Sequence, residues 1–210
     1  MNVSKIKKLA IGSLVICCSV LGTTQIHAND PWYNIGYAIG SSIGNSPGVS
    51  DKDYYCNPNY NFNNLRNVLI VVQVPPQYSQ YIDDPYIADE YSVFSKDVLK
   101  DTMTIYNIND AVKLFNSQGI AFTNQEDYNK AFWQYVGFHF DGILMVHIYA
   151  FSQNGSYGNV FMDFTLRDNT AANTLMYYKD MRMNAPRSSK VGMLKRITNA
   201  FQNKIKKARK

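Results

Sequence analysis

Two long apolar runs predict buried strands. Asn67–Val74 is rich in β-branched residues and ends at Pro75, which suits a strand covered on both faces. Asp141–Phe151 is a second such run, with His147 in its middle. Because both faces of this second run are apolar, we expect it to occupy a central place in a sheet.

Three further segments predict strands at the sides of that sheet. Gly158–Asp168 alternates apolar and mixed positions with the period of two of a half-buried strand. Asn173–Met183 alternates less cleanly, and Thr102–Tyr106 is short and β-prone. The loops between the last three strands are short, which favours antiparallel hairpins.

Helical spacing appears in four places. The first helix follows Asp84, which we expect to cap it, and its apolar face is Ile87, Tyr91, Phe94 and Val98. The second starts at Asn107 or Asn109 and closes at Gly119, and the third runs from Gln125 to about Phe138. A final basic amphipathic helix follows Ser188 or Ser189, with this apolar face: Val191, Leu194, Ile197, Phe201, Ile205 and Ala208.

The order of these elements predicts the fold class. Strand, helix, strand, two helices, three strands and a helix indicate an α+β domain, similar to a three-layer α/β arrangement. We expect a mixed sheet of about five strands with helices packed on it, formed by a single domain over 67–210.

The amino terminus has the layout of a secretory signal peptide. Lys5, Lys7 and Lys8 precede an apolar run, Leu9–Leu21, and Ala28 suits cleavage of residues 1–28. This run of 13 residues is shorter than the roughly 20 that span a membrane, so we expect no transmembrane segment in the mature chain. The prediction is an exported protein of the periplasm or cell envelope.

A lipoprotein signal is the competing interpretation of the same segment. Acylation at Cys17 or Cys18 would anchor the chain to a membrane, although Ile16 is an unusual residue before such a cysteine. Cleavage after Ala28 leaves Cys56 alone, so no internal disulfide stabilises the mature chain. The sequence assigns no role to Cys56.

Residues 29–66 form a glycine- and asparagine-rich extension that we expect to be partly disordered. Within it, glycines and isoleucines each recur every four residues. On a helix they would form adjacent stripes that permit close helix contact, whereas three glycines also weaken any helix. The candidate self-association residues are Ile35, Gly36, Ile39, Gly40, Ile43 and Gly44.

The positive charge belongs to the carboxyl terminus. Lys190–Lys210 carries eight basic residues and no acidic one, whereas residues 29–189 have a formal charge of −6. An exported protein is a poor candidate for nucleic-acid binding, so we expect no nucleic-acid partner. The helix body is expected to cover the sheet, while its end could contact an anionic membrane or cell-wall surface through Lys204, Lys206, Lys207, Arg209 and Lys210.

The sequence offers no clear catalyst, cofactor or metal site. Nothing positions Cys56 beside His139 or His147 as a thiol pair. On one strand, Asp141 and His147 would lie roughly 20 Å apart, too far to share an ion. The calcium-like stretch from Asp51 lacks the central glycine and the closing glutamate. His147 is therefore interpreted as a core or sheet histidine with its hydrogen bonds satisfied.

The strand patterns resemble a superfamily of bacterial envelope domains. It includes the TolB amino-terminal domain, the curli secretion channel subunit and the lipoprotein activators of penicillin-binding proteins. The likeness spans about Asn67–Ala208. This chain departs from the superfamily in its poor match to the lipoprotein signal motif (lipobox) and in its glycine- and asparagine-rich extension. The stretches that carry it are NVLIVVQVPP, TIYNINDAVKLFNSQGI, DGILMVHIYAF and VFMDFTLRD.

What this resemblance implies is a non-enzymatic envelope protein that works through protein contacts. We therefore expect a protein that binds an envelope protein or its own copies and needs no cofactor. Two alternatives remain: an envelope enzyme that acts on cell wall or polysaccharide, and a module that binds anionic surfaces through the basic helix.

Overall fold

A computed structural model describes residues 54–154, 157–183 and 189–210. Within these ranges the chain forms six strands, four α-helices and two short 3₁₀ turns at Phe62–Asn64 and Pro76–Tyr81. The strands are β1 Tyr54–Cys56, β2 Asn67–Gln73, β3 Thr104–Asn107, β4 Gly142–Asn154, β5 Tyr157–Asp168 and β6 Thr174–Met183. The helices are α1 Ile87–Leu99, α2 Ile108–Asn116, α3 Gln125–His139 and α4 Lys190–Ala208.

All six strands belong to one mixed sheet in the order β1-β6-β5-β4-β2-β3. β2 is parallel to β3 and β4, whereas β4, β5, β6 and β1 pair antiparallel. The predicted α+β class is confirmed, and β4 has the interior place that its two apolar faces indicated. The sheet has one strand more than the five predicted. This additional strand is β1, which lies in residues 29–66, the segment that the sequence predicts to be a partly disordered extension.

Helices cover both faces of the sheet. α1 and α4 share the first face, where Phe201 stacks on Phe164 with ring centroids 4.6 Å apart. α2 and α3 lie on the second face, over Leu69, Ile143 and Met145. β2 and β4 are therefore buried between two apolar layers, which explains their lack of polar alternation.

The predicted helix boundaries hold with some corrections. Asn107 caps α2 through a capping box with Asp110, and Ser189 caps α4. The prediction that Asp84 caps α1 is wrong, because α1 begins after Tyr86 and Asp84 instead forms an ion pair with Lys190.

The two turn residues of note lie outside the helices. Gly119 has φ +72°, the left-handed conformation expected of a glycine, but it lies beyond the last residue of α2. Ala171 adopts φ +58° in the turn between β5 and β6.

Within the described ranges, no helix is both long and apolar enough to cross a membrane.

Candidate functional site

The outer halves of β4, β5 and β6 extend beyond their shorter neighbours. The pairing of β2 with β4 ends where Gln73 lies beside His147, so β4 continues for seven residues past it. On the other side, β1 pairs only with Met176, Tyr177 and Tyr178 of β6. The second face of this outer region carries polar and aromatic side chains.

A buried carboxylate organises the polar part of this region. Asp163 accepts a hydrogen bond from His147 Nδ1 at 3.0 Å and another from the Tyr149 hydroxyl at 2.5 Å. The His147 and Asp163 side chains are only 12% and 9% exposed. Both carboxylate oxygens thus have a donor, which is what a buried carboxylate requires.

The register of the sheet brings these residues together. His147 lies directly opposite Asp163, and Lys179 lies opposite Asp163 on its other side. Tyr149 is two residues past His147 on the same face and is the extra residue of a β-bulge between Ile148 and Ala150. After the bulge, Phe151 returns to the buried first face opposite Val160.

The environment of Tyr149 keeps its hydroxyl protonated. Burial raises the pKa of Tyr149 well above its ordinary value, and the negative charge and hydrogen bond of Asp163 raise it further. The phenol therefore acts as a hydrogen-bond donor to Asp163 at neutral pH.

Aromatic rings continue from Tyr149 in both directions. Tyr78 meets Tyr149 edge-on at a centroid distance of 4.9 Å, and Phe161 lies 4.9 Å from Tyr149 on the other side. Tyr81 follows Tyr78 at 6.5 Å, and Met181 is paired opposite Phe161 in β6. These five residues are called the aromatic surface below. Tyr81 and Met181 are 55% and 59% exposed.

A basic residue of β6, Lys179, borders the aromatic surface. Lys179 Nζ lies 5.1 Å from the centre of the Phe161 ring, a cation–π distance. Arg182 and Asp180 lie on the first face instead, opposite Val160 and Met162, where Arg182 donates to Asp180 and Asp180 also accepts from the Tyr178 hydroxyl. The aromatic surface therefore has an apolar centre with Lys179 at its side.

The structure places the other sequence candidates apart from one another. Asp141 accepts from the backbone N–H groups of Arg66 and Asn67, at 2.9 and 2.7 Å, and not from a histidine. His139 bonds to Tyr135 O and stacks on the Tyr135 ring. Cys56 is a free thiol in β1. In the described part of the chain, no three His, Cys, Asp or Glu side chains could hold a metal ion together.

The basic residues of the carboxyl terminus divide into two groups. Lys204 lies over the Tyr54 ring at 4.3 Å, and Arg209 donates to Phe62 O at 3.2 Å and Leu65 O at 2.7 Å. These two side chains therefore contact the rest of the fold. The exposed members are Lys206, Lys207 and Lys210.

The candidate self-association residues, Ile35 to Gly44, lie outside the described residues. The aromatic surface, in contrast, was missed from the sequence. Its members come from β4, β5, β6 and the turn after β2, and only the register places them together. The one available signal of this surface lay in β5, where Phe161 and Asp163 alternate with the residues that face the core.

Comparisons with known proteins gave no family. No protein-family model matches the chain, and no curated protein matches it. Solved structures that are similar to this chain include the PelC dodecamer from Paraburkholderia phytofirmans. It has 10% identity and a TM-score of 0.47 over 72% of this chain and 94% of that chain. Lipoprotein GNA1162 from Neisseria meningitidis has 15% identity and a TM-score of 0.40 over 68% and 99%.

A third similar structure is a putative neuraminyllactose-binding hemagglutinin homolog from Helicobacter pylori. It has 10% identity and a TM-score of 0.27 over 69% of this chain and 82% of that chain. All three TM-scores lie below 0.5, and function does not follow from likeness at that level. None of these matches establishes the superfamily that the strand patterns resemble.

Proposed function

We propose that the protein is an exported protein of the bacterial cell envelope that binds a protein partner or its own copies, and that it is not an enzyme. The observation that carries this proposal is the aromatic surface, Tyr78, Tyr81, Tyr149, Phe161 and Met181. The signal-like segment before Ala28 supports export.

The composition of the aromatic surface suits a protein interface. Tyrosine, phenylalanine and methionine are enriched in the centres of such interfaces. Three of the five residues, Tyr149, Phe161 and Met181, belong to the rigid sheet, because Tyr149 is held by Asp163 and the strands pair along their length. A rigid aromatic surface loses little conformational entropy when a partner covers it.

The bonding of His147 supports a binding protein more than a catalyst. A general base in hydrolysis needs a nucleophile or a water within hydrogen-bond reach. The described contacts of His147 are Asp163 and the Tyr149 ring, neither of which is a nucleophile of the usual serine or cysteine type. Asp163 in turn has both oxygens engaged within the sheet.

Site-specific photocrosslinking in the native cell tests the interface. A photoreactive amino acid replaces Met181, and the matched control replaces Val93 on α1, since these side chains are 59% and 60% exposed. We expect one adduct of discrete mass from position 181 and none from position 93. An adduct of twice the chain mass identifies a second copy, and any other mass identifies a different protein.

Equal adducts from both positions, or none from position 181, would contradict the proposed interface. His147→Gln then separates binding from catalysis. If the protein is a binding protein, the variant keeps the crosslink at position 181 and the cellular phenotype of the wild type. A lost phenotype with the crosslink retained would instead favour the enzyme alternative.

A further inference from the structure

A shallow depression lies at the end of the domain where β2 and β3 begin. It has a volume of about 300 Å³ and is formed by the turn before β2, the residues that follow α1 and the end of α4. Arg66, Lys100 and Arg209 supply three cations to its lining, and Asp101 supplies the one acidic side chain there. Elements distant in sequence thus converge on one basic site.

The backbone at this site is well fixed. Arg66 N donates to the Asp141 carboxylate, and Arg66 O accepts from Thr104 N at 2.7 Å. Arg209 is held by the carbonyls of Phe62 and Leu65. The positions of the two guanidinium-bearing residues are therefore set by the fold.

Ion pairs among the described residues do not balance the positive charge of the depression. The ion pairs of lysine and arginine in the described ranges involve three other residues: Lys96 pairs with Asp110, Arg182 with Asp180, and Lys190 with Asp84 and Glu90. Arg66, Lys100 and Arg209 form no ion pair with any described residue. Burial lowers the pKa of Arg209, as expected for a cation that lacks a close anion.

From this geometry we propose that the depression binds the phosphate monoester group of an anionic ligand. Three cations and one carboxylate give the lining a formal charge of +2, which matches the charge of a phosphate monoester, about −1.5 to −2 at neutral pH. Guanidinium groups present parallel N–H donors that fit phosphate oxygens, and lysine adds a mobile point charge.

The neighbouring lysines extend this site towards a larger anionic surface. Lys206, Lys207 and Lys210 are exposed close to Arg209 along the chain and have no described acidic partner. They would add long-range attraction if the phosphate belongs to a lipid headgroup, because each charge near an anionic membrane contributes about 1 kcal/mol. The site itself requires only Arg66, Lys100 and Arg209.

Binding measurements on the full chain with two probes test the proposal. One probe is inorganic phosphate, whose effect on the melting temperature is compared with chloride at equal ionic strength. The other is a vesicle of phosphatidylcholine with phosphatidic acid, compared with phosphatidylcholine alone. The test variant is R66E/K100E, which leaves the carbonyl bonds of Arg209 in place.

The matched control is K113E/K130E, which makes the same change in net charge on α2 and α3, away from the depression. R66K/K100R preserves the charges and checks that the site tolerates substitution. We expect the wild type, the control and the conservative variant to bind, whereas R66E/K100E binds roughly tenfold or more weakly. Circular dichroism confirms that each variant is folded.

Each outcome has a defined meaning. If R66E/K100E loses vesicle binding but keeps the effect of inorganic phosphate, the result supports the site and assigns the phosphate to a lipid. If R66E/K100E loses the effect of inorganic phosphate but keeps vesicle binding, the result supports the site and assigns a soluble phosphate ligand. Equal losses in R66E/K100E and K113E/K130E, or no binding of either probe by the wild type, would overturn the proposal.

Discussion

At the scale of single residues, Asp163 connects the sheet to its outer surface. The side chain is buried beside apolar strands, and its charge is tolerated because His147 and Tyr149 donate to its two oxygens. These donors lie on β4, whereas Asp163 lies on β5, so the pair also fixes the hairpin register. A carboxylate in this place stabilises the position of Tyr149 within the aromatic surface.

Asp163→Asn should therefore destabilise the fold. An asparagine at 163 offers one acceptor oxygen and turns its N–H₂ group towards the other donor, which leaves a buried donor without an acceptor. We expect the free energy of unfolding to fall by about 1–3 kcal/mol in urea denaturation. Asp97→Asn, at an exposed site on α1, is the control and should change stability by less than about 0.5 kcal/mol. Similar values for the two variants would contradict the prediction.

Residue-scale chemistry was only partly predictable from the sequence. The prediction that His147 has its hydrogen bonds satisfied within the sheet agrees with its bond to Asp163. Its partner was not identified, because Asp163 follows 16 residues later and the pairing depends on the hairpin register. The role of Tyr149 was not identified either. Tyr149 is the extra residue of a β-bulge, and the alternation of period two in a strand sequence does not reveal a bulge.

At the scale of elements, the end of α4 holds the segment that precedes β2. Arg209 donates to the carbonyls of Phe62 and Leu65, and Lys204 lies over Tyr54 of β1. Phe62 and Leu65 are themselves buried in the first core. The sequence predicted an irregular extension here because asparagine, glycine and tyrosine dominate it. Contacts with a helix about 145 residues later in the chain stabilise the ordered part, and such contacts leave no local pattern.

Arg209→Ala should loosen this attachment. The change removes two charge-assisted donors from carbonyl groups beside the core, so we expect the free energy of unfolding to fall by about 1–3 kcal/mol. Lys210→Ala, one residue later at an exposed position, should change stability by less than about 0.5 kcal/mol. Urea denaturation measures both, and hydrogen exchange should show faster exchange of the Leu65 amide in Arg209→Ala. Equal stability of the two variants would show that the carbonyl bonds contribute little.

At the scale of the whole molecule, the sheet separates two kinds of environment. The first face is covered by α1 and α4. The amphipathic pattern of α4 predicted which of its residues face the sheet, with the exception of Val191, which is 53% exposed. The second face is covered by α2 and α3 over β2 and β4, while the outer halves of β4, β5 and β6 carry the aromatic surface together with the turn after β2. Periodicity predicts which faces are apolar, but the order β1-β6-β5-β4-β2-β3 depends on long-range pairing, so the location of the surface did not follow from the sequence.

Buried tyrosines give this molecule a defined response to alkaline pH. Burial raises the pKa of Tyr178 to about 12, with a further contribution from its hydrogen bond to Asp180. Burial also raises the pKa of Tyr91, which lies in the first core with its hydroxyl 2.8 Å from Thr198 Oγ1. Both phenols hold their protons more tightly in the folded state than in the unfolded chain, where tyrosine titrates near pH 10.

The stabilisation that results is fully present below pH 10 and is lost as the pH rises through the folded-state pKa values, because the unfolded chain gives up these protons first. We expect the free energy of unfolding to be nearly level up to about pH 9 and then to fall, with about 1 kcal/mol lost for each buried tyrosine at about pH 11. Urea denaturation across this range measures the loss, and absorbance of tyrosinate follows the titration. Tyr91→Phe has one titrating group fewer, so its decline should be shallower than that of the wild type. A stability that stays level beyond about pH 11 would mean that these phenols are as solvated in the fold as in the unfolded chain.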